Sequence, residues 1–309
     1  MATFNSLVNA RGLRVGNRLN RRRPARGVHA ASTPAMTAAL IFSEPPGTRV
    51  LKRRERRAPF AVLAALAACL FYFVGQLSAT AGETNLATWR QNEFSRAQKI
   101  FLADTNQATN AWQFAGACYD CADNATNETV RADFARQGIA ASKAAVARAA
   151  KSAAAHYYLA MNYGELAQAE APSLAAYKLV HEVEQEFKTA AELDATFDYA
   201  GPVRNLGALY FQAPAWPLSV GSKKRAREKF LRAAALAPDY PENQLNLAEA
   251  HTHWRERTEA EKSFHALEKV WPGVATNFPG LGWQGLRDEW SRRRDETRAA
   301  FKKAYKAEP

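Results

Sequence analysis

The chain has 309 residues, of which 42 are Lys or Arg and 30 are Asp or Glu, giving a formal net charge of +12. Residues 1–57 hold 13 basic and two acidic side chains, whereas the remaining residues carry 29 basic and 28 acidic ones. This distribution excludes a globally basic nucleic-acid-binding protein. An apolar content of 47% excludes disorder over the whole chain, and three cysteines exclude a disulfide scaffold.

Residues 1–57 form a basic leader that is rich in Arg, Ala, Pro and Gly and has no acidic residue before Glu44. The leader has no periodic apolar face that could offset the entropy lost on ordering, which predicts disorder. Met36 is a candidate true start of the chain. An Arg-rich, acid-free beginning is also typical of mitochondrial transit peptides, which gives a mitochondrial address as the alternative.

Residues 58–81 are predicted to enter a membrane. Ala58 to Gly75 is an uncharged run of 18 residues directly after the basic segment 52–57. A basic flank followed by an apolar run directs a chain across a membrane and keeps the basic side in the cytoplasm. This pattern predicts a location in the cell envelope, with the following domain on the periplasmic side.

Three fates of the apolar segment stay open. The segment is retained as a single transmembrane anchor, or it is a signal peptide cleaved after the small-residue motif 79–81, which secretes the protein to the periplasm. In the third case Cys69, which ends a lipobox-like sequence over 66–69, is lipidated.

Residues 82–309 are predicted to be all-α, since alanine is abundant and runs of β-branched residues and hairpin-turn dipeptides are absent. One pattern of small, large apolar, small or apolar, and proline residues occurs twice, 34 residues apart. Its members are Ala226, Phe230, Ala233 and Pro238, followed by Ala260, Phe264, Leu267 and Pro272. The repetition predicts the second helices of stacked helical pairs, each ended by a proline.

The first helices carry a pattern of a large residue, a Leu/Gly-type pair and an aromatic residue at relative positions 4, 7, 8 and 11. The matching sets are Trp112, Ala115, Gly116 and Tyr119; His156, Leu159, Ala160 and Tyr163; Val203, Leu206, Gly207 and Tyr210; and Gln244, Leu247, Ala248 and His251. This register resembles the tetratricopeptide repeat (TPR) over roughly residues 90–273. The small residues are 44, 47 and 41 apart instead of 34, which predicts about four irregular repeats in a TPR-like helical-hairpin array.

The segments around the repeats predict flanking helices and two turns. Ala97 and Phe101 repeat the small-to-large spacing and indicate a leading helix, and residues 282–306 read as a C-terminal capping helix. Two prolines and a glycine in 213–221 predict a loop that presents Trp216, and residues 198–202 form a second candidate turn.

Cys118 and Cys121 form a CxxC pair inside a predicted helix. The pair has no following histidine for haem, no preceding strand for a thioredoxin-type site and no second pair for zinc. It is interpreted as two helix cysteines without chemistry or as a local disulfide. No nucleotide-binding, hydrolase or metalloprotease motif occurs, so we predict a protein that is not an enzyme and has no cofactor or bound metal.

The TPR resemblance implies that positions 2, 5, 9, 12 and 13 of each first helix line a concave binding face. Carried onto this sequence, they give the groove candidates Gln113, Tyr157, Met161, Arg204, Phe211, Glu249 and His253. Arg204 is the candidate for an anionic group. The Lys and Asn of the carboxylate-clamp subgroup are absent from positions 5 and 9, and the alternative interpretation is that these residues are ordinary solvated helix positions.

An irregular repeat array behind an export segment resembles bacterial envelope proteins. The segment 216–226 and the proline-terminated helix after it are similar to the T-component of tripartite ATP-independent periplasmic (TRAP) transporters. The resemblance implies an exported or membrane-anchored scaffold that binds a protein or peptide partner in the envelope. The alternative is an accessory subunit of a TRAP-type transporter that binds a small molecule.

Overall fold

The computed structural model describes residues 85–215 and 217–309. These residues are helical apart from turns and one loop, and in the described ranges the only β-type pairing is a single bridge between Ala215 and Gly221. The predicted leader, the apolar segment 58–81 with Cys69, and Trp216 lie outside the described residues. Within the described part of the chain, no helix is long and apolar enough to cross a membrane.

Four helical hairpins follow a first helix, α1, which covers residues 85–103 in the described range. The hairpins pair α2 (Ala108–Asp123) with α3 (Glu128–Arg148), and α4 (Ala153–Ala169) with α5 (Leu174–Leu193). They continue with α6 (Phe197–Gln212) and α7 (Lys223–Leu236), and with α8 (Pro241–His253) and α9 (Arg257–Val270). A short helix α10 (Val274–Asn277) leads into the long helix α11 (Leu281–Tyr305).

Local sequence signals set the helix boundaries. Asn127, Ser152, Ser173 and Ser222 each accept a hydrogen bond at the helix start from the backbone N–H three residues later. Such caps satisfy a donor that has no partner inside the helix. The α7 and α9 helices end before Pro238 and Pro272, as the repeated proline predicts.

Small residues allow the helices of a hairpin to approach closely. A Cβ atom added at Gly207 on α6 would lie 2.6 Å from the ring of Phe230 on α7, so glycine is required for this separation. Gly116 lies instead against Tyr158, which belongs to the next hairpin. The small residue of the first repeat therefore permits close approach between two hairpins, whereas that of the third permits it within one hairpin.

Most of the residues predicted to pack the repeats are buried. They are Gly116, Tyr119, Leu159, Ala160, Tyr163, Leu206, Gly207, Tyr210, Ala226, Phe230, Ala233, Leu247, Ala248, Ala260, Phe264 and Leu267. Trp112 is half-buried and stacks on the ring of Tyr158 at a centroid distance of 5.8 Å. Pro238 and Pro272 are exposed because they follow the ends of their helices.

The candidate turn at residues 198–202 has an unusual backbone. Asp198, Tyr199 and Ala200 have φ values of 50°, 55° and 65°, in the left-handed region that costs L-residues free energy. The guanidinium of Arg204 donates hydrogen bonds to the carbonyls of Asp198 and Tyr199, at 3.2 and 2.8 Å. The turn, which kinks the start of α6, is therefore held by a buried side chain from later in the same helix.

The α11 helix does more than cap the end of the array. Its buried residues Leu286, Trp290 and Phe301 share a core with α8 and α9. At the start of α11, the ring of Trp89 on α1 lies against Gly282. The predicted capping helix thus contacts both the last hairpin and the first helix.

Candidate functional site

The structure separates the seven groove candidates into two groups. Tyr157, Met161 and Arg204 are each at most 1% exposed, so the prediction that they line an open groove is wrong. The side chains are buried because α4 and α6 are packed on all faces, with every residue from 154 to 165 in α4 buried. The remaining candidates are Gln113, which is exposed on α2, and Phe211, Glu249 and His253, which border one cleft.

Arg204 takes part in a buried polar cluster. Its Nη2 lies 3.5 Å from Asp198 Oδ2, which accepts a 2.6 Å hydrogen bond from the Tyr157 hydroxyl. Its Nε lies 3.6 Å from Glu242 Oε2. Burial alone would lower the pKa of Arg204, but these carboxylates raise it above its usual value. The anionic partners that Arg204 was expected to find in a ligand are supplied by the protein itself.

Arg293 of α11 is a second buried arginine, and it was not predicted from the sequence as a site residue. Its Nε and Nη2 donate to the two carboxylate oxygens of Glu249, at 2.8 and 2.7 Å. Nη2 also donates to Asn246 at 2.6 Å, and Nη1 donates to Glu242 at 3.2 Å. Its partners Glu242, Asn246 and Glu249 lie along one face of α8. The side chain of Arg293 is only 2% exposed. This cluster fixes α11 against α8.

The cleft lies between the end of α6, the end of α8 and the second half of α11, and has a volume of about 520 Å³. Its lining residues are Phe211, Gln212, Glu249, Thr252, His253, Arg255, Arg293, Glu296, Thr297, Ala300 and Ala304. Phe211, Ala300 and Ala304 supply apolar surface, and the ring of His253 meets the ring of Phe211 edge-on at 5.2 Å. Its volume falls within the range of natural ligand sites.

Some charged side chains of the cleft have an ion-pair partner and others do not. Glu249 is paired with Arg293, and Glu296 is paired with Arg292 at 2.8 Å. Arg255 and His253 are exposed, and among the described residues neither side chain has a hydrogen bond or an ion pair. The cleft therefore presents two unused donor side chains, one of them a permanent cation.

Arg255 occupies a backbone position that favours glycine. It follows the end of α8 with φ of 62°, and the N–H of Glu256 donates to the carbonyl of His251 at 2.9 Å to close the turn. Glycine is the usual residue at such a helix end because it has no Cβ penalty there. An arginine at this position is costly for the fold and places its side chain at the cleft.

A second, smaller cavity of about 50 Å³ lies between α1, α2 and α11 and contains Glu289. Burial is the main cause that raises the pKa of Glu289 to about 7, and the carboxylates of Glu242 and Asp123 add to it against the opposing charge of Arg293. Between pH of about 4.5 and about 7, the folded protein therefore binds a proton that the unfolded chain releases.

We expect the free energy of unfolding to fall as the pH rises from about 5 to about 8. Glu289→Gln should remove roughly 1–3 kcal/mol of that decrease, because glutamine cannot release the proton. The measurement is urea unfolding at a series of pH values, with the exposed Glu296→Gln on the same helix as control. Superimposable pH profiles of Glu289→Gln and the wild type would contradict the assignment.

Cys118 and Cys121 are both free, so the predicted alternative of a local disulfide is not what the structure shows. Burial raises the pKa of the Cys118 thiol well above its usual range and that of Cys121 to about 11. A thiol that keeps its proton is a poor nucleophile and metal ligand. In the described ranges, no three His, Cys, Asp or Glu side chains are grouped as a metal ion would require.

No protein-family model matches the chain, and no curated protein matches it. Among solved structures the chain is similar to YrrB, described as a TPR protein with an unusual peptide-binding site. The TM-score is 0.39 at 16% identity, and the match covers 68% of this chain and 92% of YrrB. The assignment of the hairpin array therefore depends on the helices of this chain and on the contacts between them.

Proposed function

We propose that the chain is a TPR-like scaffold that binds a segment of a protein partner in the cleft between α6, α8 and α11. The observation that carries the proposal is the gathering of unpaired donors and apolar surface from three separate segments of the chain. Phe211 of α6, His253 and Arg255 at the end of α8, and Ala300 of α11 border the same cleft. Such a mixture of an aromatic anchor and convergent polar groups is typical of recognition sites.

In this role the protein is a binding protein rather than an enzyme, and it lies in the cell envelope. The address rests on the basic segment 52–57 and the apolar run after it. Protease added to cells with a permeabilised outer membrane should digest residues 85–309. Complete protection in cells whose cytoplasmic membrane is intact would contradict the envelope address.

A bulky side chain placed in the cleft tests whether a partner binds there. Ala300 is exposed and lies in the cleft wall, so Ala300→Trp should fold normally and occupy the space that a partner needs. A photo-crosslinking residue placed at Ala304 in the full-length chain should capture a partner protein in cells, and Ala300→Trp should reduce the yield by roughly tenfold or more.

Ala299→Trp is the matched control, since Ala299 is exposed on the same helix but does not line the cleft. It should leave the crosslinking yield near that of the wild type. Equal yields from both tryptophan variants would show that the partner does not use the cleft.

The accessory subunit of a TRAP-type transporter remains the alternative prediction. In that case the cleft would hold a small molecule instead of a protein segment. The same two variants separate these functions, because a small-molecule site would give a metabolite-dependent thermal shift that Ala300→Trp abolishes, without any crosslinked protein.

A further inference from the structure

The charge balance of the cleft points to the chemistry of its partner. Both carboxylates in the lining already have arginine partners, Arg293 for Glu249 and Arg292 for Glu296. The neighbouring acid, Glu256, is bound by Lys223, Arg227 and His251. Among the described residues that line the cleft, Arg255 is the cation whose side chain has no ion pair, and both carboxylates there already have arginine partners.

Resting on the proposed function, we propose that the cleft binds an acidic peptide segment, in which an Asp or Glu carboxylate pairs with Arg255 and an adjacent apolar side chain packs on Phe211 and Ala300. A guanidinium can hold a carboxylate through two parallel N–H···O bonds, which adds direction to the attraction. The ring of His253, which lies edge-on to Phe211 and has no side-chain hydrogen bond among the described residues, supplies a further donor beside the same apolar surface.

The left-handed backbone at Arg255 makes an arginine less favourable for folding than a glycine. Left-handed φ values cost a non-glycine residue about 1–2 kcal/mol, and backbone strain of this kind is found at ligand sites where the side chain is needed. Lys306 provides a comparison within the same chain, since it also follows a helix end with a positive φ of 55° but does not line the cleft.

The experiment selects peptides from a random display library on the full-length chain, keeping those whose binding is lost in Ala300→Trp. The expected result is enrichment of Asp or Glu next to an apolar residue. Ala300→Trp-sensitive peptides without an acidic preference would overturn this inference and leave the proposed function standing. Failure to recover any Ala300→Trp-sensitive peptide would count against the proposed function itself.

Variants of Arg255 then test the pairing with a selected acidic peptide as the probe. Arg255→Gly should weaken its binding by about 10- to 100-fold, as expected for loss of a charged hydrogen bond. The same change should raise the thermal midpoint by about 2–4 °C, because it relieves the left-handed strain. Arg255→Glu should shift the selection towards Lys- and Arg-containing peptides.

Lys306→Gly is the control for the backbone effect. It should raise the thermal midpoint in the same way and leave the affinity for the acidic peptide unchanged. An unchanged affinity in Arg255→Gly, or an acidic preference that survives Arg255→Glu, would refute the assignment of Arg255 as the carboxylate partner.

Discussion

Replacing Arg293 by alanine is expected to destabilise the folded protein by about 3–5 kcal/mol. The guanidinium is 2% exposed and bonds to Glu249, Asn246 and Glu242. Without it, Glu249 loses both of its hydrogen bonds from the guanidinium, and the fully buried Glu242, which also contacts Arg204, loses one of its counter-charges. Uncompensated buried charges cost far more than the net gain of forming a pair. Urea unfolding followed by circular dichroism measures the loss.

Arg292→Ala is the matched control, since its side chain is 47% exposed and pairs with an equally exposed Glu296 on the same helix. Exposed pairs of this kind contribute at most about 1 kcal/mol. The two neighbouring arginines should therefore differ several-fold in their effect. Equal losses would mean that α11 is not fixed to α8 by this cluster.

The hairpin array could be predicted because its signals are local. The proline after Ala233, the small residue at Gly207 and the serine at the start of α7 act within a few residues or across one hairpin. These contacts repeat along the chain, so that one recognised unit supports the interpretation of the next. The helix boundaries follow for the same reason.

The accessible surface could not be predicted because it depends on contacts between distant segments. Arg293 lies between Arg292 and Arg294 in the sequence, and only the position of α11 on α8 makes it the buried member of the three. Arg204 was expected to face a ligand, but a left-handed turn in the first residues of α6 brings its own acidic partner, Asp198, against it. Repeat position alone carries no information about either contact.

The same placement of α11 buries Trp290, which is the largest fully buried side chain among the described residues. Its ring is 0% exposed and lies 5.3 Å from the ring of Tyr240 and 5.5 Å from that of Phe278. Trp290→Ala should lower the free energy of unfolding by about 3–5 kcal/mol, because it removes this buried surface and leaves a cavity.

Trp290→Phe separates the packing of this side chain from hydrogen bonding. The indole Nε1 of Trp290 is buried without a hydrogen-bond partner, so phenylalanine sacrifices volume but no polar contact. Its cost should be about 1–2 kcal/mol, below that of a tryptophan whose N–H is bonded. Trp271→Ala, at a half-buried tryptophan, should also cost clearly less than Trp290→Ala. Urea unfolding midpoints of all three variants measure these differences. Equal midpoints for Trp290→Ala and Trp271→Ala would show that α11 does not pack on the array through Trp290.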